Sequence, residues 1–301
     1  MPFDVIVMGA GQIASGYDLP YSNAILTHAH AVIEHSGFNL LGFYDADIKK
    51  AEDAARKWNA SVYEKPVSTD VIVICTPDAC HLNSIRQAID LGPKMIVLEK
   101  PLANTLGDTK KIIELTKSIP VQVNFTRRFV REFQELSVEV KNYGAFLTGA
   151  GLYGKGFIHN GSHMVDLLRM LLGEISIIRV INETFDFFPD DATKTTIISF
   201  EQGGEFFMRG LDCRHYTVFE LELCFEKGRI KVLDSGQRIQ VESVMPSDKY
   251  SGYINLSFRE EIHTEIDKAM GNLYRNAYDF LMSKAGLLSP IETVFTESIY
   301  I

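Results

Sequence analysis

The sequence predicts an α/β domain with a parallel sheet over residues 1–123, followed by an α+β domain with a large, open, mostly antiparallel sheet over residues 124–301. Three observations predict it. Short, wholly apolar runs alternate with amphipathic stretches in the first part, a glycine turn directly follows the first run, and polar–apolar alternation with hairpin signals fills the second part. Wholly apolar strands are buried on both faces, as in a parallel sheet covered by helices; alternation marks a sheet with one solvated face.

The apolar runs are Val5-Ile6-Val7-Met8, Leu40-Leu41-Gly42-Phe43-Tyr44, Val71-Ile72-Val73-Ile74-Cys75, Met95-Ile96-Val97-Leu98 and Val121-Gln122-Val123. Between them the helices carry their own punctuation. Thr27 caps a helix over Ala29–His35, and Asp47 precedes one over Ala51–Trp58. Asp78 caps a helix that runs through Ile89 to a Gly92-Pro93 stop, and Thr105 with Asp108 forms a capping-box pattern ahead of Lys110–Thr116. The segment from Gly16 to Asn23 reads as a loop insertion that breaks the first helix.

After about Phe125 the pattern changes. A helix over Ser162–Leu172 ends at Gly173. Strands follow at Ile177–Ile181, Thr193–Phe200, Gly204–Gly210, Thr217–Phe225, Arg229–Leu233 and Arg238–Val244. Gly203-Gly204 and Lys227-Gly228 are hairpin turns. A helix over Lys268–Lys284 comes last.

Composition bounds the function. The 301 residues are 46% hydrophobic and 23% charged, a globular profile, and the net charge of -9 disfavours nucleic acid and anionic membranes as partners. No apolar stretch is long enough to span a bilayer, and the start of the chain does not read as a signal peptide. Cys75, Cys80, Cys213 and Cys224 fit neither a zinc ribbon nor a disulfide framework; as buried reduced thiols they point to the cytoplasm.

Gly9-Ala10-Gly11-Gln12-Ile13-Ala14 is the G-x-G-x-x-A turn of a dinucleotide-binding (Rossmann) domain. Gly9 permits the tight turn, Gly11 lets backbone approach a pyrophosphate, and Ala14 permits close helix–strand packing. The N–H groups of Gln12 and Ile13, opening the helix behind, would face the phosphates. Asp45, ending the second strand, would accept bonds from ribose hydroxyls and repel a 2′-phosphate, favouring NAD; the long interval from Gly11 leaves NADP as the alternative.

Two further segments close strands: Cys75-Thr76-Pro77-Asp78-Ala79-Cys80-His81 and Glu99-Lys100-Pro101-Leu102-Ala103. With the glycine turn, Val123-Asn124-Phe125-Thr126-Arg127-Arg128-Phe129 and Gly161-Ser162-His163-Met164-Val165-Asp166, the chain resembles the glucose–fructose oxidoreductase/inositol dehydrogenase (Gfo/Idh/MocA) family through most of its length. Glu64-Lys65-Pro66 repeats the tripeptide ahead of the third strand and reads as a surface turn.

The resemblance implies hydride transfer between NAD and a hydroxyl-bearing carbon of a sugar, cyclitol or nucleotide sugar. It places Lys100 near the nicotinamide and the substrate oxygen, with Glu99 on the nicotinamide ribose and Thr76, Pro77 and His81 nearby. His163 is then the acid/base candidate, with Asp166 three residues on along the same helix face. Where the family commonly has an Asp four residues before this histidine, the chain has His159, which alters substrate choice or assists proton transfer. Tyr153 and Lys155 are further substrate contacts, and Arg128 meets an anionic group or the inter-domain seam. Arg127 reads as solvated, and His28 and His30 as surface histidines. No metal is expected, because Gly161 argues against a continuous helix joining His159 to His163. A homodimer or homotetramer is expected from the open sheet. Two alternatives stand beside the dehydrogenase: an imine or other small-molecule reductase on the same fold, and a dinucleotide sensor without turnover.

Overall fold

Val5–Met8, Val71–Ile74 and Met95–Leu98 are buried throughout in the computed structural model, which describes residues 1–300; Ile301, the end of the expected second domain, lies outside them. These runs belong to β1 (Phe3–Met8), β4 (Val71–Ile74) and β5 (Met95–Leu98) of a six-stranded sheet completed by β2 (Phe38–Tyr44), β3 (Ser61–Val62) and β6 (Val121–Val123). The order is β3-β2-β1-β4-β5-β6 and every pairing is parallel. This is the doubly wound order in which the first strand neighbours the fourth, opening a crevice at their carboxyl ends.

Four helices follow strands of this sheet: α1 (His28–Glu34), α2 (Ile48–Trp58), α3 (His81–Asp90) and α4 (Leu106–Leu115). Thr27, Asp47 and Thr105 cap α1, α2 and α4 through their side-chain oxygens, as the sequence predicts. Asp78 does not cap α3. It opens a 3₁₀ turn, Asp78–Cys80, and its carboxylate accepts its neighbour Ala79 N–H, 3.0 Å away.

The second sheet has eight strands. They are β7 (Phe146–Tyr153), β8 (Ile175–Thr184), β9 (Thr193–Phe200), β10 (Glu205–Gly210), β11 (Phe219–Phe225), β12 (Gly228–Leu233), β13 (Arg238–Pro246) and β14 (Ile254–His263). Their order is β14-β13-β12-β11-β7-β10-β9-β8, antiparallel except for β7 beside β10. Inward residues such as Phe206, Leu221, Leu223, Ile230 and Val232 are buried, while Phe207 faces outward. Beneath the sheet lies α6 (Ser162–Leu172), preceded by α5 (Arg131–Glu139). A Cβ on Gly151 of β7 would stand 3.0 Å from Met164 Sδ, so α6 presses on that strand where it carries no side chain.

The chain divides into two compact units, and the division differs from the sequence expectation. The first comprises Met1–Phe129 with Asp267–Phe295; the second comprises Val130–Ile266 and the segment from Thr296 on. Thus α7 (Ala269–Leu281) and α8 (Ile291–Val294), expected in the second domain, belong to the first. Polar bonds hold them there: Gln122 Nε2 donates to Leu273 O, Asn272 Nδ2 to Phe129 O, and Val123 N–H to Ser289 O.

Among the described residues no helix is long and apolar enough to cross a membrane, and no group of three His, Cys, Asp or Glu could hold a metal ion. The cysteines are all free, but only Cys75 is buried; Cys80 is exposed, contrary to the expectation of buried thiols.

Candidate functional site

In the first unit the candidate residues gather at the carboxyl ends of β1, β4 and β5. Gly9 has φ +93°, and a Cβ there would fall 2.5 Å from the carbonyl of Cys75 at the end of β4. Only glycine fits that conformation and that approach. Gly11 is different. It is exposed, and a Cβ on it would meet nothing within 4 Å, so backbone borders an open cradle beside the switch point of the sheet. That cradle fits a dinucleotide's phosphates.

The helix behind the turn is shorter than the sequence suggests. Gln12–Gly16 make a single π turn, and regular helix resumes only at His28. Little aligned backbone therefore stands behind the cradle; individual N–H groups at the start of the turn replace a long helix dipole. Trp58 Nε1 and Lys57 Nζ, at the end of α2, both donate to Ser15 O and fix the turn's far side. Ala14 is fully buried, as close packing requires. Asp45 is half-buried, and its carboxylate accepts Ala10 N–H at 2.7 Å and Asp47 N–H at 2.8 Å, locking the glycine turn to the end of β2.

The inserted loop is organised around Asp18. Its carboxylate, buried at 5% exposure, accepts the N–H groups of Leu26 and Thr27, the Thr27 hydroxyl and His30 Nδ1. Burial pushes its pKa up, but the bonds from Thr27, Leu26 and His30 outweigh that and hold it low. His28 and His30 are not surface histidines: both are buried.

His28 is tied to the Glu99-Lys100-Pro101 segment. Its Nε2 lies 2.8 Å from Glu99 Oε1, and its Nδ1 lies 2.8 Å from the hydroxyl of Tyr274 on α7. Asn124 Nδ2 donates to the same Glu99 oxygen at 2.6 Å, and Lys100 N–H donates to Glu99 Oε2. Glu99 is thus committed inward. Burial raises its pKa, yet the bonds from His28 and Asn124 and the charges of His28 and Lys100 leave it below the usual carboxylate range. Lys100 follows at the strand end, half-buried, with a cis peptide to Pro101.

His81 is also a fastener. Its Nδ1 lies 2.9 Å from Pro101 O and 3.1 Å from Leu102 O, while Nε2 lies 3.0 Å from Thr76 O. Burial holds the ring below the ordinary imidazole pKa, against the pull of those carbonyls. Thr76 Oγ1 pairs with Ser84 Oγ, and Pro77 immediately precedes the 3₁₀ turn. Arg127 is buried rather than solvated; Arg128 is half-buried, its Nη1 3.5 Å from Leu288 O.

In the second unit the candidates line the approach to α6. A π turn, Phe157–Gly161, runs directly into α6 with Gly161 in helical geometry, so His159 and His163 lie one turn apart on a continuous helical run, contrary to expectation. His163 is half-buried on the first turn of α6, and Asp166, three residues on, is buried at 4% exposure. Tyr153 is fully buried. Its hydroxyl donates to Lys194 O and accepts Lys194 N–H, a fixture of the sheet rather than an exposed contact. Lys155 adopts φ +73°, with its ammonium 4.6 Å from the Phe187 ring centre.

The segment Phe185-Asp186-Phe187-Phe188-Pro189-Asp190-Asp191, to which the sequence reading gave no role, holds this approach in place. Asp186 accepts Lys155 N–H, Cys213 N–H and the Thr193 hydroxyl; burial opposes the charge, but these bonds bring its pKa down to about 2. Asp191 accepts the N–H groups of Phe157, Ile158 and His159, capping the π turn, and also His159 Nδ1 at 2.7 Å. The His159 ring stacks on Phe188, with centroids 3.8 Å apart. Two carboxylates in a phenylalanine-rich stretch were the available signal.

The chain is similar to known proteins. The model of the Gfo/Idh/MocA oxidoreductase family, described as an NAD-binding Rossmann fold, matches residues 3–126. D-glucoside 3-dehydrogenase of Escherichia coli K12 is 26% identical over 203 residues, covering 57% of this chain and 54% of that protein. An inositol 2-dehydrogenase/D-chiro-inositol 3-dehydrogenase of Lacticaseibacillus casei is 31% identical over 140 residues, covering 43% and 38%. The matches thus span about half or less of these relatives' lengths. The structure of a levoglucosan dehydrogenase in complex with NADH and levoglucosan superimposes with a TM-score of 0.77 at 16% identity, over 98% of this chain and 93% of that one. At that identity the likeness is one of fold.

Proposed function

We propose that the chain is a Gfo/Idh/MocA oxidoreductase, the family whose model matches residues 3–126, and an NAD-dependent dehydrogenase of a sugar, cyclitol or nucleotide sugar. One observation carries the reading: Lys100 stands two residues past the carboxyl end of β5, at the same end of the sheet as the Gly9–Gly11 turn and its open cradle. The Gly9–Ile13 backbone, Asp45, Thr76 and Pro77 would hold NAD, which supplies the hydride acceptor when bound. A carboxylate at Asp45 disfavours the extra phosphate of NADP.

Lys100 sets a cation at the substrate oxygen, stabilising the negative charge that grows there as its proton leaves. Glu99 places it: fixed by His28 and Asn124, it holds the Lys100 backbone N–H and adds a buried negative charge next to the ammonium. His163 exchanges the proton, and Asp166 on the same helix face supports its charged form. In this reading Lys155 meets the substrate beside His159, whereas Tyr153 shapes the approach from beneath. The family relationship and the free cysteines support a cytoplasmic enzyme. Outward apolar residues of the large sheet, Leu152 and Phe207 among them, support a homodimer or homotetramer.

Lys100→Ala tests the assignment. With NAD and a panel of myo-inositol, methyl α-D-glucoside and UDP-N-acetylglucosamine, turnover should fall about 10²-fold or more while NADH binding, read by fluorescence, stays within a few-fold. Unchanged turnover in this variant would refute the role of Lys100.

A further inference from the structure

We infer that a cleft at the amino end of β2 is a second binding site of the first unit, one that takes a small, uncharged, polyhydroxylated ring compound of the sugar or cyclitol class. The inference goes beyond the proposed reaction and does not rest on it, because it uses none of the groups assigned to catalysis or to the dinucleotide.

The interrupted first helix makes the cleft. A helix running unbroken from the glycine turn would cover β2. Instead the π turn stops at Gly16 and α1 begins at His28. Leu40 of β2 is left half-buried, lining a cleft of about 520 Å³ bounded by α1, the end of α2 and the inserted loop. That volume suits a small molecule. Leu40 precedes Asp45 by five residues, about 16 Å of extended strand, so the cleft is distinct from the dinucleotide cradle.

One side chain there is built to receive a ligand. His30 lines the cleft yet is only 2% exposed. Its Nδ1 lies 2.8 Å from Asp18 Oδ2, and Asp18 also accepts the Leu26 and Thr27 N–H groups and the Thr27 hydroxyl. A carboxyl surrounded by donors is ionised, so the proton between it and the ring belongs to Nδ1. In a neutral imidazole that makes Nε2 an acceptor. Nε2 has no partner among the described residues, and a buried acceptor normally has one. Through Asp18, the inserted loop holds that acceptor ready for a donor in the cleft.

The rest of the lining selects the class. Glu34 and Lys57 bring opposite charges, so the cleft exerts no net pull on an ion. Glu34, His30 Nε2 and the amide oxygen of Asn39, whose Nδ2 donates to Asp4, call for donors. Asn59 and the Tyr21 hydroxyl can also donate. Hydroxyl groups answer both kinds of partner without burying a charge. Tyr21, Ile33, Phe38 and Leu40 supply the apolar surface on which the C–H groups of such a ring pack.

Nitrogen-15 NMR of the histidine-labelled full chain, saturated with NADH, tests the site, with His30 assigned by its disappearance in His30→Gln. The free ring should be protonated at Nδ1. Millimolar myo-inositol or methyl α-D-glucoside should shift Nε2 saturably, and Lys100→Ala should keep that response within about threefold in Kd. Ile33→Trp, which fills the cleft, should weaken it at least about tenfold while NADH binding, read by fluorescence, stays within about threefold. Tyr21→Ala, at a side chain 98% exposed, should weaken it at least about threefold and serves if the tryptophan variant does not fold. An Nε2-protonated tautomer, no saturable shift with either polyol, or a response lost in Lys100→Ala overturns the assignment. So does a response unchanged in either folded cleft variant, or one given only by phosphate or by ethylammonium.

Discussion

Removing the imidazole of His28 should destabilise the first unit more than any single surface change, because it strands two buried polar groups at once. His28 is fully buried between the Glu99 carboxylate, itself only 7% exposed, and the Tyr274 hydroxyl, also fully buried. In His28→Ala the carboxylate keeps Asn124 Nδ2 and Lys100 N–H but loses its imidazole donor, and the Tyr274 hydroxyl loses the ring nitrogen it faces. Removing a hydrogen-bond donor from a buried carboxylate costs about 1.5–3 kcal/mol. The donors remaining on Glu99 pull toward the low end of that range, and the unpartnered tyrosine and new cavity pull toward the high end. His28→Gln, which can still donate to Glu99, should lose roughly half as much. Urea unfolding followed by circular dichroism at neutral pH, with the m-value checked for constancy, measures both. A loss below about 1 kcal/mol in His28→Ala would refute the network as a structural element. The linkage gives a second check. Glu99 has a folded pKa below its unfolded value, so its contribution is complete above the unfolded value and fades as pH falls through the folded one. The gap between parent and Glu99→Gln should therefore narrow on acidification.

Two other perturbations follow from the geometry. Gly9→Ala and Gly11→Ala should separate folding from binding: the first drives a Cβ into the Cys75 carbonyl and lowers stability, whereas the second meets open space, leaves the melting temperature within about 2 °C and weakens NADH binding about tenfold or more by filling the cradle. Fluorescence titration alongside thermal melts tests the contrast. Asp186, with a folded pKa of about 2 against an unfolded value of 3.8, stabilises the second unit fully above pH 3.8 and loses that contribution as pH falls toward 2. The stability advantage of the parent over Asp186→Asn should accordingly shrink across that window in acid-unfolding curves, and a constant gap would contradict the assignment.

The first sheet was legible because parallel strands buried on both faces need apolar residues at every position, and Val71–Ile74 and Met95–Leu98 supply them without interruption. β7 was not. Glycine interrupts the apolar pattern of Phe146–Tyr153, yet a Cβ on Gly149 or Gly151 would stand 2.8 Å from the Phe206 ring; glycine is what allows that ring to pack beneath the strand. β14, at the sheet edge, escaped notice because its residues are largely exposed and show no inward apolar set. The strand-end positions of Lys100 and Thr76 could be placed from the sequence. The partners that hold the sites could not: Glu99 meets His28 across 71 positions of sequence, and Tyr274 meets His28 across 246. Local pattern carries no trace of such pairings, and a histidine beside an inserted loop looks the same in sequence whether buried or solvated. Asp191 escaped for the same reason, 32 positions from His159.

The return of Asp267–Phe295 to the first unit has a consequence for how the protein is made. The strands of that unit leave the ribosome early, but the helix that supplies Tyr274 to His28 and Leu273 O to Gln122 is translated only after residues 130–266. Until then the nascent chain carries the His28–Glu99 pair without its hydroxyl partner, and the glycine turn sits in an unfinished core. A fragment cut at Phe129 would preserve every residue of the glycine motif and still be an incomplete unit. Nucleotide-binding competence should therefore emerge late in synthesis, when α7 arrives, rather than with the motif that announces it.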